Sequence, residues 1–129
     1  MAQASLNNNP VQIDTSNDSI VIRKILIDVP GGKTLDVSGF TPTDGVLNAG
    51  HILVEQTSNK EVKPLDISAG AYVALPAGHT YKGVLIATIL KAKPFAAIML
   101  AGDVNEVASP FPVPAGAKTA LTHILFTQD

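Results

Sequence analysis

The chain has 129 residues, of which 46% are hydrophobic and 16% charged, with nine basic side chains, eleven acidic ones and no cysteine. This length is enough for one core that buries about two-thirds of the unfolded surface, and too short for two independent cores. The lack of cysteine excludes disulfides, cysteine nucleophiles and iron–sulfur clusters. The formal net charge of −2 provides no attraction to nucleic acid or to anionic membranes, so neither is expected as a partner.

Residues 1–19 are predicted to form a flexible N-terminal arm, followed by a single domain over residues 20–129. The arm is rich in Asn, Gln, Ser and Asp, and its few large apolar side chains include Leu6, Val11 and Ile13. Burying so few of them does not offset the entropy lost on ordering the segment. No cationic residue precedes an apolar block, so a signal peptide is not expected.

A β-strand is predicted where the arm ends. β-Branched residues recur at nearly alternate positions there: Ile20, Ile22, Ile25, Ile27 and Val29. The alternation changes phase between Ile22 and Ile25, which indicates a bulge or a break. Residues 30–32 (Pro-Gly-Gly) end this strand, and residues 34–37 are predicted to be its hairpin partner.

Nine prolines and ten glycines leave little uninterrupted chain for a long helix. The prediction is therefore a mainly β protein, a small barrel or sandwich with at most one or two short helical turns. Turns that end in glycine recur before strand-forming runs, at residues 29–32, 47–50, 75–78 and 113–116.

Three later segments complete the prediction. Residues 41–48 are expected to hold one helical turn. The apolar stretch of residues 83–102 approaches membrane-spanning length, but its centre contains Lys91, Lys93 and Pro94. It is therefore predicted to form two buried strands, 84–90 and 95–100, joined by a polar turn. Residues 118–126 fit both a helix and a strand, and the clustered Thr, Ile and Phe favour the strand.

Catalytic machinery is not evident, and no catalytic, metal or cofactor site is predicted. The three histidines are isolated from one another, and nucleophile-elbow, phosphate-loop and zinc-protease motifs are all missing. Residues 71–81 resemble the cupin strand-turn motif, in which a Pro-Ala-Gly turn delivers a metal-binding histidine, here His79. Residues 50–55 offer one histidine and one glutamate where cupins have a His-x-His pair and a glutamate. A cupin-like metal-dependent enzyme using His79 is therefore the alternative hypothesis.

A second resemblance covers more of the chain. Four blocks, in order and at similar spacing, are similar to segments of bacteriophage head decoration proteins: residues 45–53, 62–65, 81–89 and 96–104. The first resembles the small turn and Ala-Gly that lead into a barrel strand, and the second a short strand carrying proline. The third and fourth resemble a Gly-led apolar strand and the next strand, which ends in glycine.

This resemblance implies a non-enzymatic, usually trimeric protein on the outer surface of a phage head, made in the bacterial cytoplasm. It would bind the major capsid protein and stabilise the assembled shell, with its polar arm adding a strand to a capsid sheet. The residues expected to form this capsid-binding arm are Pro10, Val11, Ile13, Ile20 and Ile22. Residues 20–37 resemble an added hairpin, and residues 110–114 replace a helix that some members have. A related function, anchoring a head-fibre protein, therefore stays open.

Overall fold

The computed structural model describes residues 18–38, 40 and 45–128. Two short helices and twelve strands occupy these residues. In chain order they are α1 (Asp18–Val21), β1 (Ile22–Asp28), β2 (Lys33–Thr34), β3 (Val46–Leu47), β4 (Ile52–Gln56), β5 (Val62–Pro64), β6 (Ile67–Ser68), β7 (Ala71–Tyr72), β8 (His79–Leu85), β9 (Ile89–Leu90), β10 (Phe95–Ala96), β11 (Ile98–Asn105), α2 (Ala115–Ala120) and β12 (Ile124–Thr127).

A six-stranded sheet organises the domain. Its strand order is β1-β11-β8-β4-β5, with antiparallel neighbours, and β12 pairs in parallel with β11. Three two-stranded ribbons, β2–β10, β3–β9 and β6–β7, complete the described strands. The prediction of a mainly β protein with two short helices is confirmed, and of the two architectures left open, the described strands do not form a closed barrel.

Both faces of the central sheet are buried, because neighbouring apolar residues of its inner strands point to opposite sides. The first core cluster contains Ile52 of β4, Val84 of β8 and Met99 of β11, covered by Ala117 and Leu121 around α2. The second core cluster contains their chain neighbours and is covered by the ribbons and the loop before β3. Its members are Leu35, Phe40, Leu47, Leu53, Val62, Leu85, Ala96 and Ile98.

The predicted hairpin over residues 20–37 is wrong, although the predicted bulge is confirmed. Ile20 lies in α1, and β1 pairs with β11, with a register shift between Ile22 and Lys24. The segment after the turn pairs instead with β10. Gly32, at a φ of +73°, approaches so closely that a methyl group on it would lie 2.7 Å from the Ala96 carbonyl oxygen. Glycine permits this close approach beside the β2–β10 pairing, where a side chain would collide.

The apolar stretch from residue 84 onward is divided among more strands than predicted. β8 ends at Leu85, and β9, β10 and β11 follow, with the predicted polar turn between β9 and β10. β8 and β11 pair at the centre of the sheet, where Leu85 lies opposite Ile98. The two predicted long strands are thus replaced by four, because β9 and β10 leave the sheet to form ribbons over the second core cluster.

The segment that fitted both a helix and a strand contains both. α2 extends to Ala120, so the preferred strand is wrong for residues 118–120, and it is confirmed from Ile124 onward. The helix forms because Ala117 and Leu121, four positions apart, both pack into the first core cluster.

In the predicted helical turn over residues 41–48, residues 41–44 lie outside the described residues, and Val46–Leu47 form β3.

Candidate binding surface at the arm root and edge strand

The root of the N-terminal arm, defined here as α1, is held by hydrogen bonds to the loop before β9. The Asp18 carboxylate accepts one hydrogen bond from the Thr88 backbone N–H (2.9 Å) and another from the Thr88 hydroxyl (2.6 Å). The Thr88 hydroxyl oxygen in turn accepts a hydrogen bond from the buried Ala49 N–H (3.1 Å). Since bonds to a carboxylate are stronger than neutral ones, this network fixes the point from which the arm leaves the domain.

Packing also fixes the arm root. Val21 is buried against Gly50, which has a φ of +91°, and a methyl group on Gly50 would lie only 2.5 Å from Val21 Cγ1. A groove of about 270 Å³ runs beside this contact, and Asp18, Thr88 and Phe111 contribute to its lining. The arm therefore begins at a rigid site next to an open groove.

An aromatic cluster lies behind the groove. The His51 ring makes edge-to-face contacts with Phe40, Tyr72 and Phe111 at centroid distances of 5.3, 5.2 and 6.0 Å. Its Nε2 donates to the Leu65 carbonyl oxygen at 2.9 Å, as required of a buried neutral imidazole. Burial lowers the pKa of His51 to about 4. It raises the pKa of Tyr72, whose hydroxyl accepts the Ile52 N–H (3.1 Å). The cluster adjoins the groove through Phe111, which contributes to the groove lining together with Asp18.

The predicted capsid-binding residues occupy different environments. Pro10, Val11 and Ile13 lie outside the described residues. Ile20 lies on α1 with about half of its surface exposed, whereas Ile22 is buried in the first core cluster opposite Val104. Ile22 is therefore a core residue and not part of an exposed arm, and the predicted arm boundary after residue 19 falls inside α1.

Strand β1 exposes a run of apolar residues that the sequence reasoning missed. Ile25, Leu26 and Ile27 are 44%, 64% and 58% exposed, although alternating apolar residues are typical of a strand with one buried face. Among the described residues β1 is an edge strand of the central sheet, because no described strand pairs along its outer edge. The register explains the exposure of Leu26: Ile25 lies opposite Gly102 and Ile27 opposite Ala101, leaving Leu26 as an extra residue in a bulge.

The first half of β1 is fastened to the sheet. A side chain on Gly102 would collide with the Lys24 carbonyl oxygen, so glycine is needed where β1 approaches β11. The Arg23 guanidinium donates to Thr127 Oγ1 at 3.1 Å and lies 4.0 Å from the Asp103 carboxylate. The apolar residues of β1 are therefore displayed on a strand with an anchored start.

His79, the histidine of the enzymatic alternative, begins β8 with its Nδ1 3.0 Å from the Ala77 carbonyl oxygen. The other two groups considered for that motif are used elsewhere: His51 is buried in the core, and Glu55 pairs with Lys82 at 3.3 Å. In the part of the chain that the structure describes, no three His, Asp or Glu side chains gather as a potential metal site. These residues provide no ligand set around His79.

No protein-family model matches the chain, and neither does any curated protein or any solved structure. Among the described residues, neither helix has the length and apolar character required to cross a membrane. The arm root and strand β1 are thus the two features from which a function is inferred.

Proposed function

We propose that this chain is a non-catalytic structural protein that binds the outer surface of a phage capsid through its N-terminal arm and stabilises the assembled head. The observation that carries the proposal is the arm root: Asp18, hydrogen-bonded twice to Thr88, holds the chain at a fixed point of the domain. A binding segment that starts from a rigid point loses less freedom on binding than one on a loose tether. The resemblance to head decoration proteins supplies the partner, the major capsid protein.

The arm has the residue pattern of a segment that adds a strand to a sheet. Val11 and Ile13 are separated by one polar residue, so an extended chain places both side chains on the same side, with Gln12 on the other. Backbone hydrogen bonds to an exposed edge of a capsid sheet would provide affinity, and pockets for Val11 and Ile13 would provide specificity. Pro10 lacks an N–H and favours the extended conformation at the start of this strand.

Stabilisation of the head follows from mass action. A protein that binds the assembled lattice, and not free capsid subunits, shifts the equilibrium toward the lattice. Several copies on neighbouring sites gain further from effective concentration if they associate with one another. No covalent bond is made or broken in this proposed function, and the proposed location of the protein is the virion surface.

If a major capsid protein is encoded beside this reading frame, co-sedimentation with purified heads assembled from that protein tests the proposal. The full chain should pellet with heads, and both a chain lacking residues 1–17 and the double variant Val11→Asp/Ile13→Asp should stay in the supernatant. Gln12→Asp is the matched control, because it adds a carboxylate on the opposite side of the extended segment, and it should keep most of the binding. Equal binding by all four proteins would remove the arm from the mechanism, and no binding by the full chain would contradict the proposed function.

A further inference from the structure

Strand β1 contains a five-residue sequence that is complementary to itself, Lys24-Ile25-Leu26-Ile27-Asp28. If two copies run antiparallel with Leu26 on the two-fold axis, Lys24 of each copy lies opposite Asp28 of the other. In the same register Ile25 lies opposite Ile27. Every cross-strand pair is then either apolar with apolar or positive with negative, the combinations that stabilise an antiparallel pair. A two-fold interface requires this kind of self-complementarity, since the same patch serves both partners.

The two ends of the sheet differ in a way that favours pairing through β1. At the opposite end, β5 carries Pro64, which cannot donate a backbone hydrogen bond, and its apolar residue Val62 is buried. Natural proteins block an edge strand in this manner. Strand β1 instead contains no proline and exposes Ile25, Leu26 and Ile27 together. Among the described residues, β1 is therefore the more open of these two edges, although pairing in the register given above requires the bulge at Leu26 to become regular.

We propose that β1 pairs antiparallel with β1 of a second copy of this chain, which joins the two central sheets across a two-fold axis. The paired segment is short, so the interface is smaller than that of a standard stable complex and the dimer is weak and concentration-dependent. The proposal does not depend on capsid binding. It also differs from the trimer that the resemblance implies, because a two-fold contact produces a dimer, or links two assemblies, and does not close a ring of three.

Sedimentation equilibrium of the full chain across a wide concentration range tests this pairing. The mass should rise with concentration from 13.4 kDa toward twice that value. Leu26→Lys places two ammonium groups at the axis and should weaken self-association by about a hundredfold. Val107→Lys is the matched control: Val107 is 70% exposed and lies outside β1, so this variant should associate as the unaltered chain does.

Charge reversal adds a test that a folding defect cannot imitate. Lys24→Asp and Asp28→Lys should each weaken self-association by about tenfold, since each creates two like-charge pairs across the axis. An equimolar mixture of the two variants should associate as strongly as the unaltered chain, because every aspartate then faces a lysine of the other copy.

Four results would overturn the proposal. The first is a single-chain mass at every concentration, and the second is a dimer or trimer that Leu26→Lys leaves unchanged. The third is failure of the charge-reversed variants to associate on mixing, and the fourth is association only after residues 1–17 are removed. The last result would show that the chain's own arm covers β1. Capsid co-sedimentation is scored separately, so a failure of this pairing and a failure of the proposed function are distinguishable.

Discussion

The arm root and strand β1 are consecutive in the chain, yet the arm root is packed against the domain whereas apolar residues of β1 are exposed. In α1, Val21 is buried against Gly50 and Asp18 is hydrogen-bonded to Thr88. A few residues later, Ile25, Leu26 and Ile27 are exposed on an edge strand. The difference shows that apolar character alone does not decide burial here. The arm root is held by polar and steric contacts specific to its position, whereas β1 leaves its apolar residues available for another molecule.

A steric change at the arm root should reduce the stability of the protein most. Gly50→Ala should lower the free energy of unfolding by about 4 kcal/mol, because an added methyl group meets Val21 and the positive φ disfavours any side chain. Gly31→Ala is the matched control: Gly31 has a φ of +74° but nothing within 4 Å of an added methyl, so it should lose only about 1 kcal/mol. Urea denaturation measures both. Equal losses would mean that the contact with Val21 does not hold α1.

The next effect comes from His51 in the buried aromatic cluster. Because burial lowers its pKa to about 4, the folded protein keeps the imidazole neutral while the unfolded chain takes up a proton below about pH 6.5. The free energy of unfolding should therefore fall by about 3 kcal/mol as the pH drops from 6.5 to 4.

Urea denaturation at several pH values checks this, with His51→Gln as the comparison, since its amide can still donate to the Leu65 carbonyl. The variant should show a much flatter pH dependence between pH 6.5 and 5. The pKa of the Glu106 carboxyl is lowered by hydrogen bonds from Lys118 and Gln128, and that of the Asp36 carboxyl by hydrogen bonds from Ser38. The stability that these two carboxyl groups contribute is lost only as the pH falls through the range in which carboxyl groups ordinarily titrate. Identical slopes in the two proteins would exclude His51 as the cause.

A smaller effect is expected when the polar half of the arm root is removed. Thr88→Val keeps the shape of the side chain but deprives Asp18 of a donor and the Ala49 N–H of an acceptor. The loss should be about 2 kcal/mol, measured by urea denaturation. Thr119→Val, which removes only a hydrogen bond to the Ala115 carbonyl on the exposed surface of α2, should change stability by less than about 0.5 kcal/mol. Similar losses in both variants would mean that the network does not anchor α1.

The smallest change in stability is expected for a substitution in β1. Leu26→Ala should change the free energy of unfolding of the single chain by less than about 0.5 kcal/mol, because Leu26 contributes little buried surface. Measurement at low protein concentration keeps self-association out of the result. A loss of about 2 kcal/mol or more would place Leu26 in the core and remove the exposed surface on which β1 pairing depends.

The local pattern was sufficient for some parts of this fold. Prolines and glycines excluded long helices, and the changed phase between Ile22 and Ile25 located a true bulge. Both are properties of neighbouring residues. The pairing of β1 with β11 joins segments far apart in the chain, and alternation within β1 contains no information on which strand becomes its partner. Nearest-neighbour reasoning therefore favoured a hairpin that does not form.

The candidate binding surfaces also depend on contacts between distant residues, which the local pattern does not predict. Alternation at Ile25 and Ile27 predicted a strand, but such a pattern cannot tell a covered strand from an uncovered one. The Asp18–Thr88 contact joins residues 70 positions apart and has no sequence signal. For the missed run in β1 a signal did exist: Leu26 between two isoleucines breaks the alternation of a half-buried strand.

Cryo-electron microscopy of heads incubated with the full chain tests most directly whether the protein binds a shell through an arm that starts from a fixed root. Density for the domain is expected on the outer surface, with residues 10–13 extended along the edge of a capsid sheet and Val21 of α1 still packed against Gly50. Heads without such density, or a bound domain whose arm contacts no capsid subunit, would contradict it.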